Sequence, residues 1–450
     1  MIFFGAFVAT LAALVFFAAF GSGSARGAAD FAVANRQAGS WPVAGAIMGT
    51  LVGGASTIGT AQLAFLYGLS AWWFTLGAGL ACLVLALLVA GPLRRAEVET
   101  IPQFLQRYYG GRAQAVASGF SALGMFIHIV AQLLAAGALL SSLFGCRPLV
   151  SAGMAVLLVA AVTLGGGMRA AGAVGLAKLL LLYLMMAGSG LLAWHLAGGW
   201  SGLRTSFAEG SWFSLFGYGV REGVSDLVSM LVGVLSTQIY LQAVFSARSA
   251  REASRGAMLS AVLIPPLGLF GIMVGLYMRQ AHPEMDSVLA LPDFFRLYLP
   301  PPLAGIGFAT LLFAAVGTAA GLTLGVGTTL QVDLVGRLFR SSDRLRLLRL
   351  LTLAVLVAAL LLLVANLGSA IMQWSFLSMG LRGATLCFPL LAAVCFGSRV
   401  SRRGGALSVF LAPSCVLLAG LAGWTFLPPL YLGLGVSLLA LSIGFRPSRA

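Results

Sequence analysis

The side chains in this sequence that are most able to do chemistry are two cations embedded in long apolar stretches. Lys178 is the only lysine of the 450-residue chain, and it lies in a stretch that predicts a helix over 172–198. Arg382 lies about midway along a second such stretch, at 369–397. A charge inside a membrane-spanning helix costs roughly 2.5–3.5 kcal/mol on insertion scales. Both residues are therefore candidates for a functional site.

Arg382 has two interpretations. An arginine side chain stays protonated and forms bidentate hydrogen bonds with carboxylates. It is therefore a candidate to hold the carboxylate of a bound solute. Embedded acids are few, and Asp226, near the outer end of the apolar stretch at 218–246, is the plausible internal partner. A structural Arg382–Asp226 pair is the alternative.

Lys178 also has two interpretations. It lies near the cytoplasmic end of its predicted helix, so its ammonium could simply extend to the lipid headgroups. No acid accompanies it nearby in the sequence. The functional alternative is a cation held inside the protein, whose proton could be released and taken up again.

Uncharged polar residues supply further candidates. His128 and Gln132 lie four residues apart and therefore share one face of a helix. Together with Gln62 and Gln238 they could hydrogen-bond a solute, or they could tie helices together. Trp374 could form a gate at the outer end of its helix, or belong to the aromatic belt at the membrane surface.

These candidates are spread over a chain whose composition suits a lipid bilayer. Hydrophobic residues make up 60% of it and charged residues 9%, with a mean hydropathy of +1.00. A soluble protein could not cover that much apolar surface. At roughly 20 apolar residues per helical span, an all-α integral membrane protein with about thirteen transmembrane helices is predicted. The predicted spans are 2–20, 42–68, 70–92, 114–144, 148–165, 172–198, 218–246, 257–278, 302–335, 346–366, 369–397, 405–424 and 428–445.

The formal charge of +15 is explained by the placement of the arginines and does not require a nucleic-acid partner. With the N-terminus outside, most arginines fall in cytoplasmic loops, which is the positive-inside pattern of an inner-membrane protein. The arginines in the outer loops are Arg147, Arg204, Arg221, Arg279 and Arg296. An odd number of spans places the C-terminus in the cytoplasm. The first span lacks a basic region before it, so we expect a helix there rather than a cleaved signal peptide.

Two predicted spans contain runs of small and hydroxyl residues in mid-membrane. The runs are 53–60 in the second span and 233–238 in the seventh, five helices later. Glycine costs up to about 1 kcal/mol relative to alanine in a helix. Paired interruptions in corresponding helices of two halves point to a transporter binding site, although close packing through small residues is the alternative. A third run, 314–321, could expose oxygen ligands to a hard cation or form a packing seam.

Five sequence blocks follow one another along the chain. They are Gly54-Ala55-Ser56 through Tyr67-Gly68-Leu69, Thr100-Ile101-Pro102-Gln103-Phe104-Leu105 followed by Arg107-Tyr108-Tyr109-Gly110, Ser236-Thr237-Gln238-Ile239-Tyr240-Leu241-Gln242 with Ala247-Arg248-Ser249, Leu299-Pro300 through Ala314-Ala315 to Asp333, and Phe388-Pro389-Leu390 through Arg402-Arg403-Gly404-Gly405-Ala406. In order and spacing these blocks resemble the sodium:solute symporter family, whose fold is of the LeuT type. The resemblance covers nearly the whole chain. It implies one leading helix, a 5+5 inverted repeat and two trailing helices.

This resemblance implies domain boundaries and a sodium site. The implied units are 1–41, 42–199 for the first repeat, 200–397 for the second, and 398–450. The implied ligands are the backbone oxygens of Ala55, Ile58 and Ala314 and the hydroxyl of Thr318. The family usually has a serine where this chain has Gly317, which removes one oxygen.

A second departure from the family pattern lies at the start of the fifth core helix. The family often has Thr-Asp there, followed by Gln three residues after the Asp, where this chain has Val174-Gly175 and Lys178. In relatives of this fold without sodium dependence, a lysine on this helix can place its ammonium near the vacated sodium site. Lys178 is therefore a candidate to replace the ion.

The resulting prediction is a secondary active transporter that carries a small organic solute together with a cation by alternating access. The embedded cations weakly favour an anionic or carboxylate-bearing solute. The driving ion is sodium or a proton. One alternative is a sodium-independent or proton-coupled transporter with Lys178 in place of sodium. Another is a degenerate transporter that acts as a membrane sensor through a partner protein. We expect no enzymatic activity. The predicted partners are a small-molecule solute and the lipid bilayer, and no protein partner is predicted.

Overall fold

Apolar helices make up almost all of the part of the chain that the structure describes. The structure is a computed structural model. It describes residues 1–20, 32–207, 209–335, 344–365, 371–422, 424 and 427–443. The α-helices are α1 Ile2–Phe20, α2 Ser40–Leu51, α3 Thr60–Tyr67, α4 Trp73–Val84, α5 Ala90–Arg95, α6 Ile101–Tyr109, α7 Gly111–Phe144, α8 Pro148–Leu196, α9 Gly199–Ser206, α10 Val220–Leu235, α11 Gln238–Ser246, α12 Ala250–Ala281, α13 Ala290–Tyr298, α14 Pro301–Thr329, α15 Arg344–Ala365, α16 Ile371–Phe396, α17 Arg402–Leu421 and α18 Pro429–Ile443.

Many of these helices are suited to cross a bilayer. Within the described residues, seven helical stretches are long and apolar enough, one of them running over Ala55–Arg95 through α3, α4 and α5. α10 with α11 makes an eighth if this bent pair is one span. Shorter apolar helices are Ile2–Phe17, Leu149–Leu164 and Pro429–Ile443. α8 runs as one helix through two predicted spans, and a 3-10 turn at Gly68–Trp72 joins two others. The helical membrane class agrees with the sequence, and the number of thirteen spans stays a prediction.

The first helix break lies in the second predicted span. α2 ends at Leu51, Val52 is extended with φ −85° and ψ 91°, and the helix resumes as a π-helical turn over Ala55–Gly59 before α3. Glycine is required at Gly53, because a side-chain carbon there would lie 2.5 Å from Thr318 Oγ1 and 2.7 Å from Gln132 Oε1. The break frees carbonyls in the last turn of α2, since their usual amide partners lie beyond it.

The second break lies in the seventh predicted span. α10 ends at Leu235, α11 begins at Gln238, and the two axes differ by 44°. Thr237 between them is extended, with φ −90° and ψ 114°. Its hydroxyl donates to the Gly233 carbonyl at 2.6 Å, which satisfies one acceptor that the interruption leaves free. Both interruptions expected from the small-residue runs are therefore present.

α14 passes through the middle of the bundle, and its small residues allow it to be buried on nearly all sides. Thr310 and Thr323 donate their hydroxyls at 2.7 Å to carbonyls of their own helix. The Thr318 hydroxyl instead lies against the first break. α14 thus brings the Thr318 hydroxyl to the interrupted backbone of the first repeat.

α8 reaches the same break through a close glycine contact. A side-chain carbon at Gly49 would lie 2.5 Å from the Cα of Gly175, so the two backbones nearly touch. Small residues at such crossings let membrane helices approach closely. Because Lys178 follows Gly175 by about one helical turn, the contact places its side chain beside the end of α2.

The end of the bundle that is predicted to be cytoplasmic is closed by backbone pairing. Ala38 accepts from the Arg248 amide at 2.8 Å and donates to the Ser246 carbonyl at 3.0 Å. The segment before α2 is therefore fastened to the end of α11. Both broken helices are held together at this end.

Candidate functional site

Lys178 occupies a buried position between α2 and α14, with a relative exposure of 1%. Its Nζ donates to the Gly49 carbonyl at 2.6 Å, the Ala314 carbonyl at 2.9 Å and the Thr318 hydroxyl at 3.2 Å. A lysine ammonium has three N–H donors and no acceptor. All three donors are therefore satisfied, and the ammonium does not extend to the headgroups.

Two of the four oxygens that the family resemblance implies for sodium lie at this ammonium, those of Ala314 and Thr318. The other two do not meet it. Ala55 and Ile58 lie in the π-helical turn beyond the break, where the Ala55 carbonyl accepts from Thr60 Oγ1 at 3.5 Å. The first repeat contributes the Gly49 carbonyl instead. The signal for Gly49 was the break itself, since helix ends leave carbonyls unpaired.

Gly317 faces the same lysine. A side-chain carbon at Gly317 would lie 3.6 Å from Lys178 Cδ and 3.7 Å from Nζ. The two departures from the family pattern therefore sit against each other: one removes a hydroxyl, and the other supplies an ammonium. Carbonyl and hydroxyl oxygens are ligands for hard cations, but here they already hold the ammonium. A sodium ion does not fit among them in this arrangement.

Arg382 is the second buried cation, with a relative exposure of 0%. Nη1 donates to Thr237 Oγ1 at 2.7 Å, Nε donates to the Ser378 carbonyl at 3.1 Å, and Nη2 lies 3.3 Å from His128 Nδ1. Gly124 makes room for the arginine stem, since a side-chain carbon there would lie 2.5 Å from Arg382 Cγ. The guanidinium is therefore fixed at the second break, between α16 and α7.

The Arg382–Asp226 pair, the structural alternative for Arg382, is not formed among the described residues. Asp226 accepts a hydrogen bond from the hydroxyl of Tyr218. The ion pairs found within the described ranges join Arg94 to Glu97, Arg248 to Glu252 and Arg296 to Asp293. Asp226 lies more than two turns before the break along α10, at a different depth from Thr237. This structural interpretation of Arg382 is therefore wrong.

His128 and Gln132 connect the guanidinium to the first break. Gln132 Nε2 lies 3.1 Å from His128 Nε2, and Gln132 Oε1 accepts from the Gly54 amide at 3.0 Å. Both residues are on α7 and nearly fully buried. A continuous polar chain therefore runs from Thr237 at one break through Arg382, His128 and Gln132 to Gly54 at the other.

The remaining predicted site residues lie elsewhere. Gln62 Nε2 donates to Ser287 Oγ at 3.5 Å, in the loop before α13. Gln238 accepts from the Ile101 amide and donates to the Glu99 carbonyl, each at 2.9 Å, so it holds the start of α6. The side chain of Trp374 lies outside the described residues.

Asp333, the last residue of the fourth family block, is buried beside α6 and α7. Its Oδ1 accepts from Thr100 Oγ1 at 3.1 Å and from Gln114 Nε2 at 2.6 Å. Sequence reasoning gave no role to Thr100, which also caps α6 by accepting the Gln103 amide at 3.1 Å. Gln238 and Asp333 therefore close the predicted cytoplasmic end rather than line the centre.

Sequence comparison confirms the resemblance seen in the five blocks. The sequence model of the sodium:solute symporter family matches residues 31–412. No curated protein matches the chain in sequence.

The structure is similar to those of several solved transporters. A Na⁺-coupled sialic acid symporter, substrate-bound and outward-open, has a TM-score of 0.82 at 18% identity, covering 98% of this chain and 97% of that chain. A nucleobase-cation-symport-1 family transporter with bound bromovinylhydantoin has 0.65 at 14%, covering 92% and 93%. A variant of the Eremococcus coleocola manganese transporter has 0.56 at 17%, covering 90% and 92%. The predicted LeuT-type fold is confirmed, and these relatives are transporters rather than enzymes.

Proposed function

Since the chain belongs to the sodium:solute symporter family, we propose that it carries a small organic solute across the membrane by alternating access, with a cationic group at the ion position. The supporting observation is the polar chain that joins the two helix breaks in mid-bundle. Broken helices from two halves are the usual place for a transporter's solute and ion sites. Movement of one half against the other would open this chain to each side in turn.

The solute is proposed to carry a carboxylate or another anionic group, bound by Arg382. This cation is fully buried at the break and hydrogen-bonds only to neutral groups among the described residues. A buried charge without a counter-ion is costly. An anionic solute would supply that counter-ion, which is the single observation that carries the proposed preference.

The ion position is proposed to be filled by Lys178, so that transport does not require sodium there. The ammonium holds two of the oxygens that the family resemblance implies for sodium. A lysine ammonium can also lose its proton. Release and uptake of that proton would couple solute movement to a proton gradient.

Sodium coupling at another position is the second candidate. It is favoured by the family itself and by the similar symporter, which is described as Na⁺-coupled with a novel Na⁺ site. In this second candidate the Lys178 ammonium keeps its position, and sodium binds at a different site.

The orientation and organisation are also proposals. The distribution of arginines supports an inner-membrane protein with the N-terminus outside and the C-terminus in the cytoplasm. The two breaks support repeats over 42–199 and 200–397, followed by trailing helices within 398–450.

A thermal-shift screen of the purified protein against metabolite pools, with and without sodium, would identify the solute. Uptake of that solute into proteoliposomes would then be compared between the wild type and Lys178→Gln under separate sodium and proton gradients. We expect wild-type uptake without sodium and an altered ion dependence in the variant. Uptake driven only by sodium and unchanged in Lys178→Gln would refute the lysine proposal. Binding without uptake would favour a sensor.

A further inference from the structure

The hydrogen bonds around His128 contain more donors than acceptors. The Gly54 amide can only donate, so it fixes Oε1 of Gln132 on its own side and turns Nε2 toward the ring. On the other side, the ring faces the Nη2 donor of Arg382. A neutral imidazole has one donor and one acceptor nitrogen, and a protonated one has two donors. In either state at least one ring N–H points at another donor.

Arg382 adds to this excess. Its guanidinium carries five N–H donors, and two find good acceptors in Thr237 and Ser378. A third faces the imidazole of His128. The local groups therefore leave donors of both residues in need of an acceptor, at a point where neither side chain is exposed to water.

Tyr240 contributes another unsatisfied group. Its hydroxyl is buried and has no hydrogen-bond partner in the part of the chain that the structure describes. The residue follows Thr237 by about one helical turn, with its amide bonded to the Thr237 carbonyl at 3.1 Å. Because Thr237 Oγ1 accepts from Arg382, Tyr240 lies on the turn of α11 that begins beside the guanidinium. No feature of the sequence singled out this tyrosine.

We infer that His128, Arg382 and Tyr240 together form an acceptor-requiring cradle, and that the transported solute enters it as a deprotonated carboxylic acid. This inference rests on the proposed transport function. A carboxylate offers two oxygens with about four acceptor positions and no donor. One oxygen pairs with the guanidinium, while the ring N–H and the tyrosine hydroxyl donate to the remaining positions. Tyr240 is thus a specificity-determining residue, and Gln132 is a positioning residue that sets the orientation of the ring.

The excess of hydrogen-bond donors in the cradle also predicts which compounds it does not bind. An amide places an NH₂ group where the acid has an oxygen, so donor meets donor and a buried polar group stays unpaired. A methyl ester loses the charge that balances Arg382. Lys178 does not compete for the acid, because its three donors are already satisfied.

The test is binding by the full chain in lipid nanodiscs, measured by thermal shift and titration calorimetry. The probes are matched pairs: acetate and acetamide, lactate and lactamide, benzoate and benzamide, and sialic acid and its methyl ester. The variants are Tyr240→Phe and, as a matched control, Tyr183→Phe, whose hydroxyl on α8 is also buried without a partner in the described structure.

We expect at least one acid to bind while its neutral partner does not. Tyr240→Phe should weaken that acid about tenfold, and Tyr183→Phe should leave it unchanged. The inference is overturned if no acid binds, if an acid and its neutral partner bind equally, or if Tyr240→Phe binds like the wild type. Acid binding without uptake in proteoliposomes would refute the transport function alone, and uptake of a neutral solute by a protein that binds no acid would refute the cradle alone.

Discussion

The two buried cations of this protein have opposite hydrogen-bond balances. Lys178 has three donors and three oxygen acceptors within 2.6–3.2 Å. Arg382 has five donors, two good acceptors and an imidazole that already faces another donor. A satisfied cation behaves as part of the protein, whereas an unsatisfied one requires a ligand. The comparison supports the proposal that Lys178 holds the ion position and Arg382 the solute position.

The largest effect is expected at Arg382. Arg382→Gln keeps a donor near Thr237 but removes the charge, so affinity for an acidic solute should fall roughly thousandfold, or about 4 kcal/mol. Stability without solute should change little, because the loss of hydrogen bonds to two neutral groups is offset by the removal of a buried charge that has no carboxylate partner in the described structure. Calorimetry and thermal unfolding measure both quantities, with the exposed Arg403→Gln as control. Retained affinity for the acid would show that the guanidinium is structural.

At Lys178, a double substitution sharpens the comparison. Lys178→Gln combined with Gly317→Ser removes the ammonium and restores the hydroxyl that the family usually has. Sodium at ten times its Kd would then stabilise the variant by about 1.4 kcal/mol, which is a rise in Tm of a few degrees.

The measurement is the Tm in sodium chloride compared with choline chloride. The wild type and Gly317→Ser alone serve as controls. Each should have the same Tm in sodium chloride as in choline chloride. If the wild type gains as much from sodium as the double variant, the lysine does not occupy the ion position.

A smaller effect is expected at Gln132, which lies between the two sites. Gln132→Leu leaves the Gly54 amide without its acceptor and frees the His128 ring, so both stability and acid affinity should drop by about 1–3 kcal/mol. Denaturation and calorimetry measure the two losses, with the exposed Gln106→Leu as control. A loss of stability without any loss of affinity would remove Gln132 from the solute site.

The smallest effect is expected at Asp226. Asp226→Asn removes a charged acceptor from Tyr218 but does not touch Arg382. Acid affinity should stay within about twofold, and stability should change by less than about 1.5 kcal/mol. A fall in affinity as large as that of Arg382→Gln would restore the ion pair that the structure rules out.

The sequence was sufficient to predict the fold because the apolar spans and the glycine runs are local signals. The break after α2 is visible in composition as the run of small and hydroxyl residues at 53–60, and the family blocks supplied the order of the helices. Lys178, Arg382, His128 and Gln132 could also be singled out, because polar groups are expensive at that depth. Their burial is observed, and their roles stay predictions.

The pairing of these residues was not predictable. Position along the chain gives only an approximate depth, so Asp226 was placed near Arg382 although it lies more than two turns away along α10. The register of the residues around a break is similarly hard to predict. The sequence therefore did not show that the carbonyl of Gly49, and not that of Ala55, accepts from the Lys178 ammonium. The bend of 44° between α10 and α11 changes which residues face the centre of the bundle. Gln238 therefore contacts the start of α6 instead of the centre, and the sequence did not single out Tyr240.

The most direct measurement is an experimental structure of the wild type in lipid with a bound acidic solute, determined in sodium-containing buffer. The carboxylate should lie on Arg382, within hydrogen-bond distance of His128 and Tyr240. Lys178 Nζ should remain on the oxygens of Gly49, Ala314 and Thr318. A sodium ion at those three oxygens with the lysine turned away, or a carboxylate bound at Lys178 instead of Arg382, would contradict the division of roles between the two cations.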